Sequence, residues 1–189
     1  NGGTGIAGIV YFLFRRRTLL LLIGPVALLL VADATPKAFW AGLPFVILGE
    51  AIRIWSAGYL SKLSHLITSG PFALCRNPLY MGSFLICVGY CLMCNRLEAW
   101  IAGVILFWLF HGGAVSYEEK LLRERFGEEY AAYCRSVPRF LPRLRSLQGQ
   151  GEFSVKQLME NNEYMSALAT VLLAGLFALR AYGRDILPF

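Results

Sequence analysis

The sequence predicts an all-α integral membrane protein of about five transmembrane helices, with the N-terminus inside and the C-terminus outside. Three observations lead there. Apolar residues make up 57% of the chain and charged residues 16%, against roughly 45–50% and ~25% in soluble domains. Mean hydropathy is +0.54. The apolar residues are gathered into runs close to the ~20 residues that cross a bilayer core, and the basic residues fall unevenly on the segments between those runs.

Residues 1–17 are a Gly-rich tail that ends in the basic stop Arg15-Arg16-Arg17. The first apolar run, Thr18–Ala34, is longer than the core of a signal peptide, and further runs follow it, so it reads as a span. Asp33–Lys37 with Pro36 makes the turn into a second span, Phe39–Leu60. A polar linker, Ser61–Pro78, leads to a third span, Leu79–Cys94, short enough to be tilted or partly interfacial. Asn95-Arg96-Leu97 leaves room only for a tight hairpin before the fourth span, Glu98–Val115. That helix is expected to continue out of the membrane, with Leu121, Leu122, Phe126, Tyr130 and Tyr133 on its apolar face and Gly127 interrupting it. Pro138 and Pro142 then force extended backbone. A hinge at Gly149-Gln150-Gly151 and an amphipathic piece precede the last span, Tyr164–Tyr182. One membrane domain, residues 1–189, accounts for the whole pattern.

The net charge of +6 looks at first like a nucleic-acid signal. Placing the N-terminus inside puts 13 of the 18 Lys and Arg residues on inner segments, four on outer ones and Arg53 within a span. The positive-inside rule accounts for this asymmetry, and contact with anionic headgroups accounts for the surplus, so no nucleic-acid partner is expected. The match of Gly3-Thr4-Gly5-Ile6-Ala7-Gly8 to G-x-G-x-x-G lacks the strand before it and the βαβ unit around it that a dinucleotide site needs. Cys87, Cys91 and Cys94 sit at helical spacing and read as small apolar filler; no metal site is expected.

Four features are candidates for chemistry. Glu50 and Arg53 share a helix face inside a span, either as a mutual ion pair or as the wall of a polar pocket. His111 stands seven residues before Glu118 on the same face, either as a packed interfacial histidine or as a proton carrier. The loop Gly70–Gly82 holds Arg76, Asn77, Tyr80 and two prolines between apolar runs. Glu118-Glu119 lies where the fourth span leaves the membrane, on the same side as that loop. The carboxylates suit an ammonium or ribose hydroxyls. Arg76, Asn77 and backbone N–H groups suit a carboxylate, and Phe72, Tyr80 and Tyr130 suit a flat base or a sulfonium.

The strings Thr68-Ser69-Gly70-Pro71-Phe72…Arg76-Asn77-Pro78-Leu79-Tyr80-Met81-Gly82 and Glu118-Glu119…Leu122…Phe126-Gly127-Glu128-Glu129-Tyr130…Tyr133…Val137-Pro138 resemble the isoprenylcysteine carboxyl methyltransferases and related phospholipid methyltransferases. The resemblance runs from about Glu50 to Pro142. It implies a membrane enzyme that uses S-adenosylmethionine, with residues 61–145 as its cytosol-facing cofactor-binding core. It implies cofactor contacts from Ser64, His65, Leu66, Ile67, Phe72, Asn77, Pro78, Leu79, Tyr80 and Glu118, and catalytic roles for Arg76, Glu118 and Glu119. It implies a lipidic or prenylated acceptor, an isoprenylcysteine-like carboxylate first, in a bacterial inner membrane or, in a eukaryote, the endoplasmic reticulum. Two positions depart from the pattern: Asn77 stands where the family has His, and Ala114 where eukaryotic members have Arg. A phospholipid amine or small thiol is the alternative acceptor. A sterol-reductase-like NADPH enzyme and a non-catalytic membrane scaffold are the alternative classes.

Overall fold

The computed structural model describes residues 24, 26–60, 65–143 and 151–186. The N-terminal tail, the basic stop, the beginning of the first span and Ser64 lie outside the described residues. A helical segment at 26–31 is followed by α1 (Pro36–Tyr59), α2 (Pro71–Leu74), α3 (Pro78–Cys94), α4 (Leu97–Ser136), α5 (Val155–Glu160) and α6 (Glu163–Ile186). α1, α4 and α6 are long and apolar enough to cross a membrane; α3, with 17 residues, is apolar but shorter.

Sequence signals set the helix ends. Thr35 caps α1 by accepting from the Ala38 amide at 3.2 Å, and Pro36 occupies the first turn, where its missing N–H costs nothing. At the other end of α1 the Asn161 side-chain amide donates to the Ala57 and Leu60 carbonyls at 2.9 and 2.8 Å, satisfying acceptors the helix leaves orphaned. Asn95, in the left-handed conformation with φ 56°, ends α3 and allows the short turn into α4. α4 holds together for 40 residues, but Gly127, at φ 47° and ψ −119°, breaks its helical geometry as the glycine's position suggested.

α1 and α3 run antiparallel and very close. A Cβ on Gly49 would lie 2.5 Å from the Gly82 carbonyl oxygen, and one on Gly89 would lie 2.8 Å from that of Gly42. The pairs 42/89 and 49/82 are each seven residues apart, two turns, so they form one seam. Small residues of this kind let backbones approach where lipid supplies no hydrophobic drive between helices. Tyr90 of α3 stacks on Phe177 of α6 at 5.4 Å and donates to the Thr170 carbonyl at 2.8 Å. Ile47, Leu48, Ile101, Ile105, Leu109, Val171, Leu172 and Leu179 face outward, as a lipid-facing surface requires.

Arg53 is buried at the meeting of α1, α3 and α6. It pairs with Glu163 at 2.6 Å and donates to the Ser83 and Ser166 hydroxyls at 2.5 and 3.0 Å. Among the described residues its close ion pair is therefore with α6, while Glu50 on its own helix interacts with it electrostatically. Glu50 lies within reach of the same cluster and is likewise buried. A charge in a bilayer must find such partners inside the protein.

Two outcomes test this packing. Gly49→Leu is expected to destabilise the detergent-solubilised protein by about 1–3 kcal/mol through overpacking, while Gly175→Ala, where a Cβ meets nothing within 4 Å among the described residues, leaves the thermal midpoint unchanged or raised. Glu163→Gln is expected to cost about 3–5 kcal/mol by removing the close partner of Arg53, with much of the loss recovered in Arg53→Met/Glu163→Gln; thermal unfolding of the two variants and the parent measures it.

Candidate functional site

The loop 65–77, the outer half of α4 and the strap 137–143 converge at the end of the bundle where α3 begins. Gly70 turns the loop at φ 57°, where a Cβ would strike the Tyr59 ring at 2.7 Å. Pro71 then starts the single turn of α2. The strap pairs with the loop through its backbone: the Arg76 amide donates to the Pro138 carbonyl at 2.9 Å, and the Arg143 amide to the Leu74 carbonyl at 3.0 Å. The extended backbone expected from Pro138 and Pro142 is what leaves these groups available. Tyr133 of α4 donates its hydroxyl to the Phe72 carbonyl at 2.7 Å. Leu66 packs against the buried Tyr130, Tyr133 and Val137.

Glu119 stands at the centre of this junction. Its Oε1 accepts from Asn77 Nδ2 at 3.0 Å and from Arg139 Nε at 3.1 Å, and its Oε2 lies 3.1 Å from Arg139 Nη2. Arg76 Nη1 approaches Oε1 at 3.8 Å. Asn77 Nδ2 also donates to the Arg139 carbonyl at 3.2 Å, so one side chain ties the loop to helix and strap together. Arg76 Nη1 further donates to Cys134 Sγ at 2.6 Å. Burial of the Arg76 guanidinium opposes its charge, but the Glu119 carboxylate, Cys134 and Tyr130 outweigh it and hold its pKa above the ordinary arginine value. Burial pushes the Cys75 thiol up to about 11, against a smaller opposing effect of its hydrogen bond with the Asn77 backbone. Burial first, then the Glu119 charge, raises the Tyr130 phenol.

The structure brings Arg76, Asn77 and Glu119 together. Glu118 is half-buried on the neighbouring face of α4. Tyr80 turns toward His111, ring centroids 5.7 Å apart and nearly perpendicular. Phe72, Ile67 and Pro78 are buried as loop packing, Leu79 is half-buried, and His65 is exposed. Arg139, Cys134 and Tyr133 are joined to the site but were not singled out from sequence as parts of it. The arginine in Val137-Pro138-Arg139 looks like one more basic residue until the strap folds back.

Fold and site together define an α-helical integral membrane protein with a charged, hydrogen-bonded site at one end of its bundle. A model of the phospholipid methyltransferase family matches residues 19–129, and the chain belongs to that family. Among similar proteins, the cobalt-zinc-cadmium resistance protein CzcN of Cupriavidus metallidurans is 33% identical over 64% of this chain and 56% of its own length. Protein-S-isoprenylcysteine O-methyltransferase B of Arabidopsis thaliana is 34% identical over 53% of this chain and 57% of its own. The Rattus norvegicus protein-S-isoprenylcysteine O-methyltransferase is 33% identical over 57% and 42%. The chain thus spans about half the length of the curated relatives it matches. No solved structure matches it.

Glu119→Ala is expected to free the loop and strap together. Hydrogen exchange at the Arg76 and Arg143 amides should accelerate at least ~10-fold, because Asn77 and Arg139 lose a shared charged acceptor worth about 1.5–3 kcal/mol. Arg123→Ala, on the exposed face of the same helix, should leave both amides as they were.

Proposed function

We propose that this chain carries the catalytic region of a membrane-embedded, S-adenosylmethionine-dependent methyltransferase acting on a lipidic or prenylated acceptor, with the polar end of the bundle toward the cytosol. The observation that carries the reading is the junction of Arg76, Asn77, Glu119 and Arg139 at the edge of an apolar bundle. The protein's membership of a methyltransferase family supports it. So does the donor set. The buried Arg76 Nε meets no acceptor in hydrogen-bonding geometry among the described residues, and an amino-acid carboxylate is a group that would satisfy it. Glu118 and Glu119 suit ribose hydroxyls or an ammonium. Asn77 orients by hydrogen bonds without carrying a proton.

S-adenosylmethionine, when bound, supplies an electrophilic methyl group. The work left to the protein is to align the acceptor, exclude water and stabilise charge. Arg76, fixed from the backbone by Pro138 and from its side chain by Cys134 and Glu119, is the anchoring cation. Glu119 holds the strap closed over the loop through Arg139. An acceptor with a lipid tail enters from the bilayer and presents its head at this edge. An isoprenylcysteine-like carboxylate is the first acceptor to test, since similar proteins bear the name of that reaction and a carboxylate needs no base. A protein that reduced sterols would need NADPH instead, and a scaffold would need neither.

The test is transfer of labelled methyl from S-adenosylmethionine, by membranes enriched in the full-length protein, to N-acetyl-S-farnesylcysteine and to the host lipids. Labelled ester or labelled lipid is expected, and Arg76→Ala should weaken S-adenosylmethionine binding ~10–100-fold. Absence of both binding and transfer, or binding of NADPH in its place, would overturn the reading.

A further inference from the structure

The strap 137–143 has an outer face that the site described above does not use. Its seven residues include two arginines, Arg139 and Arg143, and no acid; the others are Val137, Pro138, Phe140, Leu141 and Pro142. Arg139 turns to the polar side, donating to Glu119 at 3.1 Å and to the Ser116 hydroxyl at 3.2 Å. Phe140, the next residue, turns the other way. Its ring meets Trp108 of α4 edge-on, with centroids 6.1 Å apart. Trp108 lies eight residues, about 12 Å, back along the helix from Ser116.

That contact sets the strap against the bilayer. α4 is long and apolar enough to cross a membrane, and Trp108 faces outward on it together with Ile101, Ile105 and Leu109. Phe140 therefore packs on a lipid-facing stretch of the span. An aromatic pair of this kind suits the boundary between acyl chains and headgroups. Leu141, beside it, is 83% exposed, and acyl chains are the surroundings that favour such a side chain. Arg143 is exposed two residues further on, and its backbone amide is fixed to the Leu74 carbonyl at 3.0 Å.

We propose that the strap is a docking surface for anionic phospholipids, with Phe140 and Leu141 seated at the acyl boundary and the Arg143 guanidinium on a headgroup phosphate. The occupant follows from the juxtaposition. Apolar side chains sit at the level of the lipid chains, and a cation stands next to them with no acid in the strap to neutralise it. A guanidinium meets phosphate oxygens with paired N–H groups. A soluble anion would satisfy Arg143 and leave Phe140 and Leu141 uncovered; a phospholipid satisfies both. The consequence reaches the site. The strap holds the loop through the Arg76 amide on Pro138 and the Arg143 amide on Leu74, so a lipid that binds the closed strap also orders the Arg76–Asn77–Glu119 junction. This holds whichever reaction the junction serves.

The experiment is hydrogen exchange at the Arg143 and Arg76 amides of the full-length protein, in nanodiscs of phosphatidylcholine alone and of phosphatidylcholine with phosphatidylglycerol. One basic side chain on an anionic surface is worth about 5-fold in binding, so the Arg143 amide should exchange about 5-fold more slowly in the anionic nanodiscs. High salt should shrink the difference. Arg143→Gln should abolish it, and Leu141→Asn should exchange faster in both bilayers. Arg123→Gln, which removes the same charge from the exposed face of α4, should keep it. Equal rates in the two bilayers for the parent protein would overturn the proposal, and so would a lipid dependence that survives Arg143→Gln or disappears equally in Arg123→Gln. Inorganic phosphate added to the phosphatidylcholine nanodiscs should change nothing; protection by phosphate alone would make the strap a site for a free anion and overturn the assignment to lipid.

Discussion

The close approach of α1 and α3 is the constraint on which the rest depends. In a bilayer, apolar side chains gain little from leaving lipid for protein, so helices are held by close packing and by polar groups that need one another. Gly42, Gly49, Gly82 and Gly89 provide the packing. The same seam brings Arg53 beside Gly82 and Ser83, where it reaches Glu163 and Ser166 of α6. The ionic cluster then fixes α6 against the pair. Because Ser83 is only six residues from Asn77, the anchor inside the membrane also sets where α3 begins, and hence where the site lies.

The site is built as a cross-link rather than a pocket on one element. Three segments distant in sequence are joined by short polar contacts: loop to strap through two backbone hydrogen bonds, loop to helix through Tyr133 and Phe72, and all three through Glu119. Each contact leaves a buried or half-buried group paired, and removing the shared carboxylate unpairs several at once. Arg76 gains from this arrangement twice, since the strap holds its backbone while Glu119 and Cys134 orient its guanidinium. Site order and strap closure are therefore one property.

Periodicity and punctuation made most of the fold legible: apolar runs gave the helices, Pro36, Asn95 and Gly127 their ends and break, and Pro138 the extended strap. Arg53 was legible as a residue that must have a partner, but its partner was not. The nearest carboxylate in sequence is Glu50, one helical turn away, whereas the one it bonds is on a helix more than a hundred residues later. Likewise the pair Glu118-Glu119 was visible as a unit. Which of the two faces Asn77 depends on the rotation of α4, and adjacent helical positions differ by about 100° around the axis. Arg139 carried no local signal, because a cation following Pro138 reads as solvated until the strap's hydrogen bonds turn it inward.

By itself the sequence determined the class of this protein. Hydrophobic run length and the cost of unsatisfied backbone in lipid leave helices as the structure for such segments, and the Gly-Pro loop with the acidic pair marked the end of the bundle where polar side chains gather. Only the tertiary structure decided the pairings. Glu163, on a distant helix, gives Arg53 its close ion pair, and Glu119 joins Asn77 to Arg139. The physical reason is range: helix formation and breaking are local events read within a few turns, whereas a hydrogen bond or ion pair is settled by which side chains arrive within about 3 Å of each other, and that is known only when the helices have packed.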